Sequence, residues 1–364
     1  MLKKISCMAL GAVLLAASTG CDNKKESSVI GKVSETVTEE APELDTGETE
    51  STEIPVETGV NPLTGESGYN INACGKRSVA IMVNNLKAAL PQYGIEQADI
   101  IYELPVEGGI TRLMAVYADY TTVPDVCSVR SCRYYYPLIC LGMDAIYCHW
   151  GADQTIALDT LNRTGIDHLD GSSESGLFYR DQDRVGSYAS EHTGYLKGSE
   201  LASKIEEKGF RTTVNAENSG TMFNFAAEGE KITPAEMTAS TAVLNFSGDY
   251  YSTFSYDAAT GQYMKFHSGN AHLDGKTGNQ LAFDNVFALQ TDIHTRADGY
   301  LMDVELTGGT GYYISNGGAQ SITWSKLSED SPIEVYAADG TKLTVNVGES
   351  YIGIIGTDKT VFIS

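Results

Sequence analysis

Nothing before residue 61 carries a pattern from which a core could be built, and this confines the fold to residues 61–364, near 300 residues. Residues 22–60 are rich in Glu, Thr, Ser and Pro, with little apolar content. Such a segment cannot bury enough surface to offset the entropy of ordering, so it is expected to be a disordered tether, stretched by its own charge. The remaining length favours two folded domains, expected over residues 61–230 and 231–364.

The start of the chain reads as an export address. Lys3 and Lys4 precede an apolar run over residues 5–17, and the small residues Ser18, Thr19 and Gly20 lead into Cys21. That layout is a secretory signal over residues 1–20, with an apolar stretch too short to span a bilayer comfortably. Small residues directly before a cysteine resemble a lipobox, although Ser18 stands where Leu is usual. Cys21 is therefore expected to carry a diacylglycerol and to open a lipid-anchored acidic tether over residues 21–60. Each buried methylene adds about 0.8 kcal/mol, so two chains anchor stably. An ordinary signal cut near Gly20 is the alternative. The expected location is the extracytoplasmic face of the cell membrane.

Lys and Arg number 25 against 48 Asp and Glu, a formal charge of −23. Nucleic acid needs a basic footprint and is excluded as a partner. Of seven cysteines, Cys7 leaves with the signal and Cys21 is the anchor, which leaves Cys74, Cys127, Cys132, Cys140 and Cys148. An odd number cannot all pair within one chain. Their spacing contains no CxxC, so no metal and no cofactor is expected, and buried free thiols are favoured over a disulfide.

Periodicity changes along the folded part. Residues 79–83 form a short apolar run; residues 99–107 and 110–117 are β-rich and separated by Gly108-Gly109, a hairpin signature. Residues 131–142 and 153–161 read as helices, residues 144–149 as a buried strand, and residues 199–208 as an amphipathic helix capped by Ser199. From about residue 241 only alternating strands and turns remain, including a hairpin around Asp339-Gly340. The expected fold class is an α+β or α/β N-terminal domain followed by an antiparallel all-β domain, a sandwich or barrel.

Four segments place polar residues where structure alone would ask for apolar ones. Glu103 and Glu107 lie on one face of a regular strand, about 13 Å apart, with Arg112 beyond the diglycine; they are the candidate catalytic acids. Arg130 and Arg133 flank Ser131 at an expected helix start, an arrangement suited to a carboxylate or phosphate. His149 ends a buried strand, a common ligand position in α/β folds and a third candidate catalytic group. His192, in a Gly/Ser-rich loop, is a candidate second imidazole. Each has a plain alternative: a solvated hairpin, ordinary ion pairs, or a core histidine. Tyr312, Tyr313, Trp324 and Tyr351 are a possible sugar platform, and His272 with Asp274 a weaker site.

These segments carry a resemblance. The runs from Arg77 to Asn85, Ala98 to Glu103, Val106 to Arg112, and Val129-Arg130-Ser131 with Arg133 are similar to the YerB-like lipoproteins of Gram-positive bacteria, a two-part family of unknown function. Asp284-Asn285-Val286 and the stretch from Gly348 to Ile352 extend it into the second part. The resemblance implies secretion, lipid anchoring and a two-part layout, and supplies no activity. Cys132, Trp150 and the surroundings of His192 depart from the family pattern.

The expected function is an envelope role: binding of peptidoglycan or another surface partner, through a polar cleft of Glu103, Glu107, Arg112, Arg130, Arg133, His149 and His192. A cell-wall glycan hydrolase using the Glu pair with His149 is the alternative. A solute-binding lipoprotein is a third reading, disfavoured because two similar α/β lobes are absent.

Overall fold

The structure, a computed structural model, describes residues 57–364. The signal, the Cys21 anchor and the tether as far as residue 56 lie outside the described residues.

The apolar run after Arg77 forms β1 (Val79–Asn84), and the hairpin signature joins β2 (Ile100–Pro105) to β3 (Thr111–Tyr117). Both hairpin glycines have positive φ, 75° and 71°, which a side chain would resist. Next come α1 (Tyr135–Gly142), β4 (Ile146–His149), α2 (Ile156–Thr164), β5 (His168–Asp170) and α3 (Leu201–Glu207). The Asp153 carboxylate accepts the amides of Ile156 (2.9 Å) and Ala157 (3.2 Å), and so opens α2.

The rest is strand: β6 (Thr241–Asn245), β7 (Tyr251–Asp257), β8 (Gln262–His267), β9 (Asn285–Thr291), β10 (Gly308–Ser315), β11 (Gly318–Ser325), β12 (Glu334–Ala337), β13 (Ser350–Gly356) and β14 (Val361–Ile363). An eleven-stranded sheet runs from Met237–Thr238 through β11, β10, β9, β13, β2, β3, β1 and β4 to β5, with β12 beside β11. A six-stranded sheet is built on β8, β7, β6 and β14.

The large sheet crosses the whole folded chain. β13 is parallel to β9 on one side and to β2 on the other, with Gly353 opposite Glu103. All seven residues of β13 are buried, as expected of a strand covered on both faces. A Cβ on Gly353 would come within 2.6 Å of the Leu244 side chain, so glycine lets the smaller sheet approach here.

Alternation divides the buried residues into two cores. Ala80, Met82, Tyr102, Leu104, Met114 and Val116 face α1 and α2. Val79, Ile81, Val83, Ile101, Leu113 and Ala115 face the smaller sheet and α3, through Ala242, Leu244, Phe254 and Tyr263.

Three local expectations need correction. The C-terminal strands are not wholly antiparallel, because β13 pairs in parallel on both sides. The segment 131–134 is not helical: Cys132 pairs with Ala152 across an isolated bridge, and α1 starts only at Tyr135. Ser199 does not cap α3, which follows a 3-10 turn over Gly198–Glu200, although Leu201 and Ile205 are buried as the pattern requires. The five cysteines of the described residues are free thiols, four of them buried. No helix among the described residues is long and apolar enough to cross a membrane.

Candidate functional site

The candidate residues separate into three environments. Glu107, Arg112, Arg130 and Arg133 come together. β2 ends at Pro105, so Glu107 sits in the turn Glu107–Gly109 and does not share a strand face with Glu103. Arg112 lies on β3 opposite Asn84 of β1, and the Arg130 amide donates to the Met82 carbonyl at 3.0 Å. The end of the sheet thereby gathers the three arginines.

Glu107 is the carboxylate at their centre. Arg133 grips it with two donors, Nε at 2.8 Å from Oε2 and Nη2 on Oε1, while Arg112 Nη2 stands 3.6 Å from Oε1. Burial alone would raise the Glu107 pKa; the Arg133 and Arg112 guanidiniums hold it below its usual value. Burial works against Arg133, and the Glu107 carboxylate raises it regardless. Arg112 is less well served. Its Nη1 donates to the Ser131 carbonyl at 2.5 Å, and burial with the nearby Arg133 charge draws its pKa down to about 10.

Arg130 has no carboxylate contact. Nη1 donates to the Glu191 carbonyl at 3.0 Å, and Nε is buried without a partner. The same turn is held from the other side by Arg180, which donates to the Ser190 carbonyl at 2.7 Å and lies 4.1 Å over the Trp150 ring. His192, also on this turn, is buried and meets Asn84, Nδ2 to Nδ1, at 2.9 Å.

Glu103 is elsewhere, fully buried between the two sheets. Oε1 accepts from Asn85 (3.0 Å) and Thr111 (2.8 Å); Oε2 accepts from Ser252 (2.8 Å) and Tyr351 (2.7 Å) and faces Lys265 Nζ at 3.4 Å. Burial would raise its pKa, but the Lys265 charge and these donors hold it low. Lys265 also donates to Ser252 (2.9 Å) and His272 Nδ1 (3.0 Å), and His272 Nε2 meets Gln92 Oε1 at 2.8 Å. Gln92 donates to Asn85 Oδ1 at 3.1 Å, which closes the circuit back to Glu103. Every lone-pair direction of Glu103 is occupied and no solvent reaches it, so it cannot meet a substrate as an acid of a hydrolytic pair.

His149 is a third, separate place. Its Nδ1 meets the Gly151 carbonyl at 2.8 Å and its Nε2 meets His168 Nδ1 at 2.9 Å; burial depresses its pKa to about 4. None of its hydrogen bonds reaches the arginine cluster. The single cleft of both acids with His149 is therefore not formed, because the strand alternation sends Glu103 to the face opposite α1. The aromatic platform is not formed either. Tyr313, Trp324 and Tyr351 are core residues, the first two on the α1 face and Tyr351 on the other.

Sequence reasoning overlooked Lys265, Gln92 and Asn85. A sign was available for the first. β8 alternates strictly, and Tyr263 inward places Lys265 and His267 inward too.

A family model described as "Protein of unknown function (DUF3048) N-terminal domain" matches residues 63–211, and its C-terminal counterpart matches residues 242–352. The chain belongs to the DUF3048 family. A relative, "Putative lipoprotein YerB" of Bacillus subtilis (strain 168), is 26% identical over 304 residues, which cover 81% of this chain and 85% of that protein. The crystal structure of YerB from Bacillus subtilis superposes with a TM-score of 0.71 at 25% identity, covering 83% of this chain and 99% of the other. The arginine cluster lies in the N-terminal DUF3048 part, and the Glu103–Lys265 circuit joins that part to the C-terminal one.

Proposed function

We propose that this protein is a lipoprotein of the cell surface, anchored through Cys21, that captures an anionic partner at Arg112, Arg130 and Arg133, with peptidoglycan or another surface component as the partner. The observation that carries the reading is the imbalance of the cluster: Arg112 and Arg133 share the one carboxylate of Glu107, while Arg130 has none and its Nε is buried with no acceptor. A buried donor without an acceptor costs about 1–3 kcal/mol, which a bound anion would recover. The nearby acids do little to fill this role. Asp153 is committed to the amides at the start of α2, and the Glu191 side chain is exposed.

In a chain of charge −23, attraction of an anion has to be local, and a partly desolvated cluster provides it. The kinship to YerB and the cysteine after small residues support the anchored, extracytoplasmic setting. A hydrolytic role draws no support from Glu103, which is sealed.

The test is a pull-down of purified wall fragments by the wild-type protein and by Arg130→Ala, with muropeptide analysis of what is retained and of any cleavage. Retention of intact fragments that falls at least tenfold in the variant supports the reading. Equal retention by both refutes it, and new cleavage products would favour an enzyme.

A further inference from the structure

Hydrogen-bond direction around His192 defines what the cluster presents to a ligand. Asn84 Oδ1 accepts the Leu86 amide at 3.0 Å, so the amide oxygen is turned to the backbone and Nδ2 is turned to His192. Nδ2 is a donor; the Nδ1 that it meets at 2.9 Å must therefore be the bare nitrogen. The proton of the neutral ring then sits on Nε2, which has no acceptor among the described residues. Burial depresses the His192 pKa, which keeps the ring neutral near pH 7. His192 thus offers a neutral N–H, and Asn84 enforces that tautomer.

Arg130 offers the complementary element. A guanidinium binds a carboxylate through two parallel N–H groups, and the Nε–Nη2 edge is one such fork. Nη1 is taken by the Glu191 carbonyl, Nε is buried and unpartnered, and Nη2 reaches no acceptor among the described residues. The same fork is already filled once in this cluster, where Arg133 holds Glu107 through Nε and Nη2. The protein's own carboxylate shows which ligand shape fits such an edge. Phosphate sites, by contrast, usually recruit backbone amides at a helix start, and α1 begins only at Tyr135, beyond the arginines.

We infer that the site is a receptor for a free carboxylate group, seated on the Nε–Nη2 edge of Arg130 with the His192 Nε2–H as an additional donor. The inference rests on the anion-capture reading above and narrows it to one chemistry. Two sources carry that chemistry outside a cell: the C-terminus of a peptide and the carboxylate of an acidic sugar.

The experiment is calorimetric titration of the purified protein with four probes: an N-acetylated alanine tripeptide with a free C-terminus, the same peptide as its C-terminal amide, glucuronate, and glycerol phosphate. The free acid or glucuronate should bind, whichever is tighter naming the source, and the amide should bind at least tenfold more weakly than the acid. Arg130→Lys keeps the charge and removes the fork; it should weaken carboxylate binding about tenfold, while retained thermal stability shows the loop is intact. His192→Ala should weaken it independently. In labelled wild-type protein, binding should shift the His192 Nε2 resonance and leave Nδ1 unprotonated. Amide binding equal to acid, or glycerol phosphate binding tighter than either carboxylate, overturns the carboxylate inference and leaves anion capture standing. No binding of any probe, with wall fragments still retained, overturns the inference alone. No binding of probes or fragments defeats both readings.

Discussion

The Glu103–Lys265 circuit allows a quantitative test of how the two DUF3048 parts are held together. Glu103→Gln keeps the size and removes the charge. The new amide oxygen can still accept from Asn85 and Thr111. Its NH2 group, however, points at Ser252 and Tyr351, two hydroxyls that donate to Oε2 in the native protein. Lys265, wholly buried, loses the counter-charge that offsets its desolvation, so it must either stay charged without a partner or give up its proton. Removing one partner of a buried pair costs about 3–5 kcal/mol. The whole stability of a domain is only about 5–15 kcal/mol, so the variant should lose about a fifth of it or more. Lys265→Met with Glu103→Gln removes both charges and should cost less than the sum of the single variants by about 2 kcal/mol or more. The assay is urea unfolding followed by the fluorescence of Trp150 and Trp324, with m-values compared to check that two-state analysis holds. A single-variant loss under about 1 kcal/mol, or strict additivity in the double variant, would refute the argument that this pair is tightly coupled. The pH dependence has a defined sign. Because the folded pKa of Glu103 is depressed, its contribution is present above the ordinary carboxylate range and is lost as pH falls through that range and below.

Three further outcomes are expected. Burial, then the Asp99, Asp284, Glu66 and Glu96 charges, push the Glu349 carboxyl up to about 9, so stability should fall as pH rises from about 4.5 towards 9; Glu349→Gln should flatten that part of a melting-temperature profile, and an unchanged slope would count against it. Lys326 donates to the carbonyls of Ser328 (2.9 Å), Glu329 (2.7 Å) and Ser331 (2.6 Å), so Lys326→Met should open the loop locally at a cost of about 2–4 kcal/mol, read as faster hydrogen exchange over residues 327–331 with the β11 core unchanged. Cys21→Ala should abolish labelling by a fatty-acid analogue and release the protein or leave it unprocessed; equal labelling of both forms would end the lipoprotein reading.

What the sequence alone decided was set by local rules. Diglycine at positions 108–109 makes the β2–β3 turn because positive φ is nearly free for glycine, and the spacing of Leu201 and Ile205 buries one face of a helix whatever lies opposite. The gathering of Glu107, Arg112, Arg130 and Arg133 was also foreshadowed, since charges crowded at strand ends need partners. Tertiary structure decided the rest, because the deciding contacts join residues far apart in the chain. Whether Glu103 meets a ligand or a lysine depends on which sheet covers its face, and that cover arrives from β7 and β8, about 150 residues later. The insertion of β13 between β9 and β2 is equally invisible locally: a fully apolar strand reads the same beside a parallel or an antiparallel neighbour. The hydrogen on His192 was decided by Asn84, whose own orientation depends on a backbone amide two residues on. Local periodicity reports which side of an element is buried; what that side is buried against is settled only when the distant strands close over it.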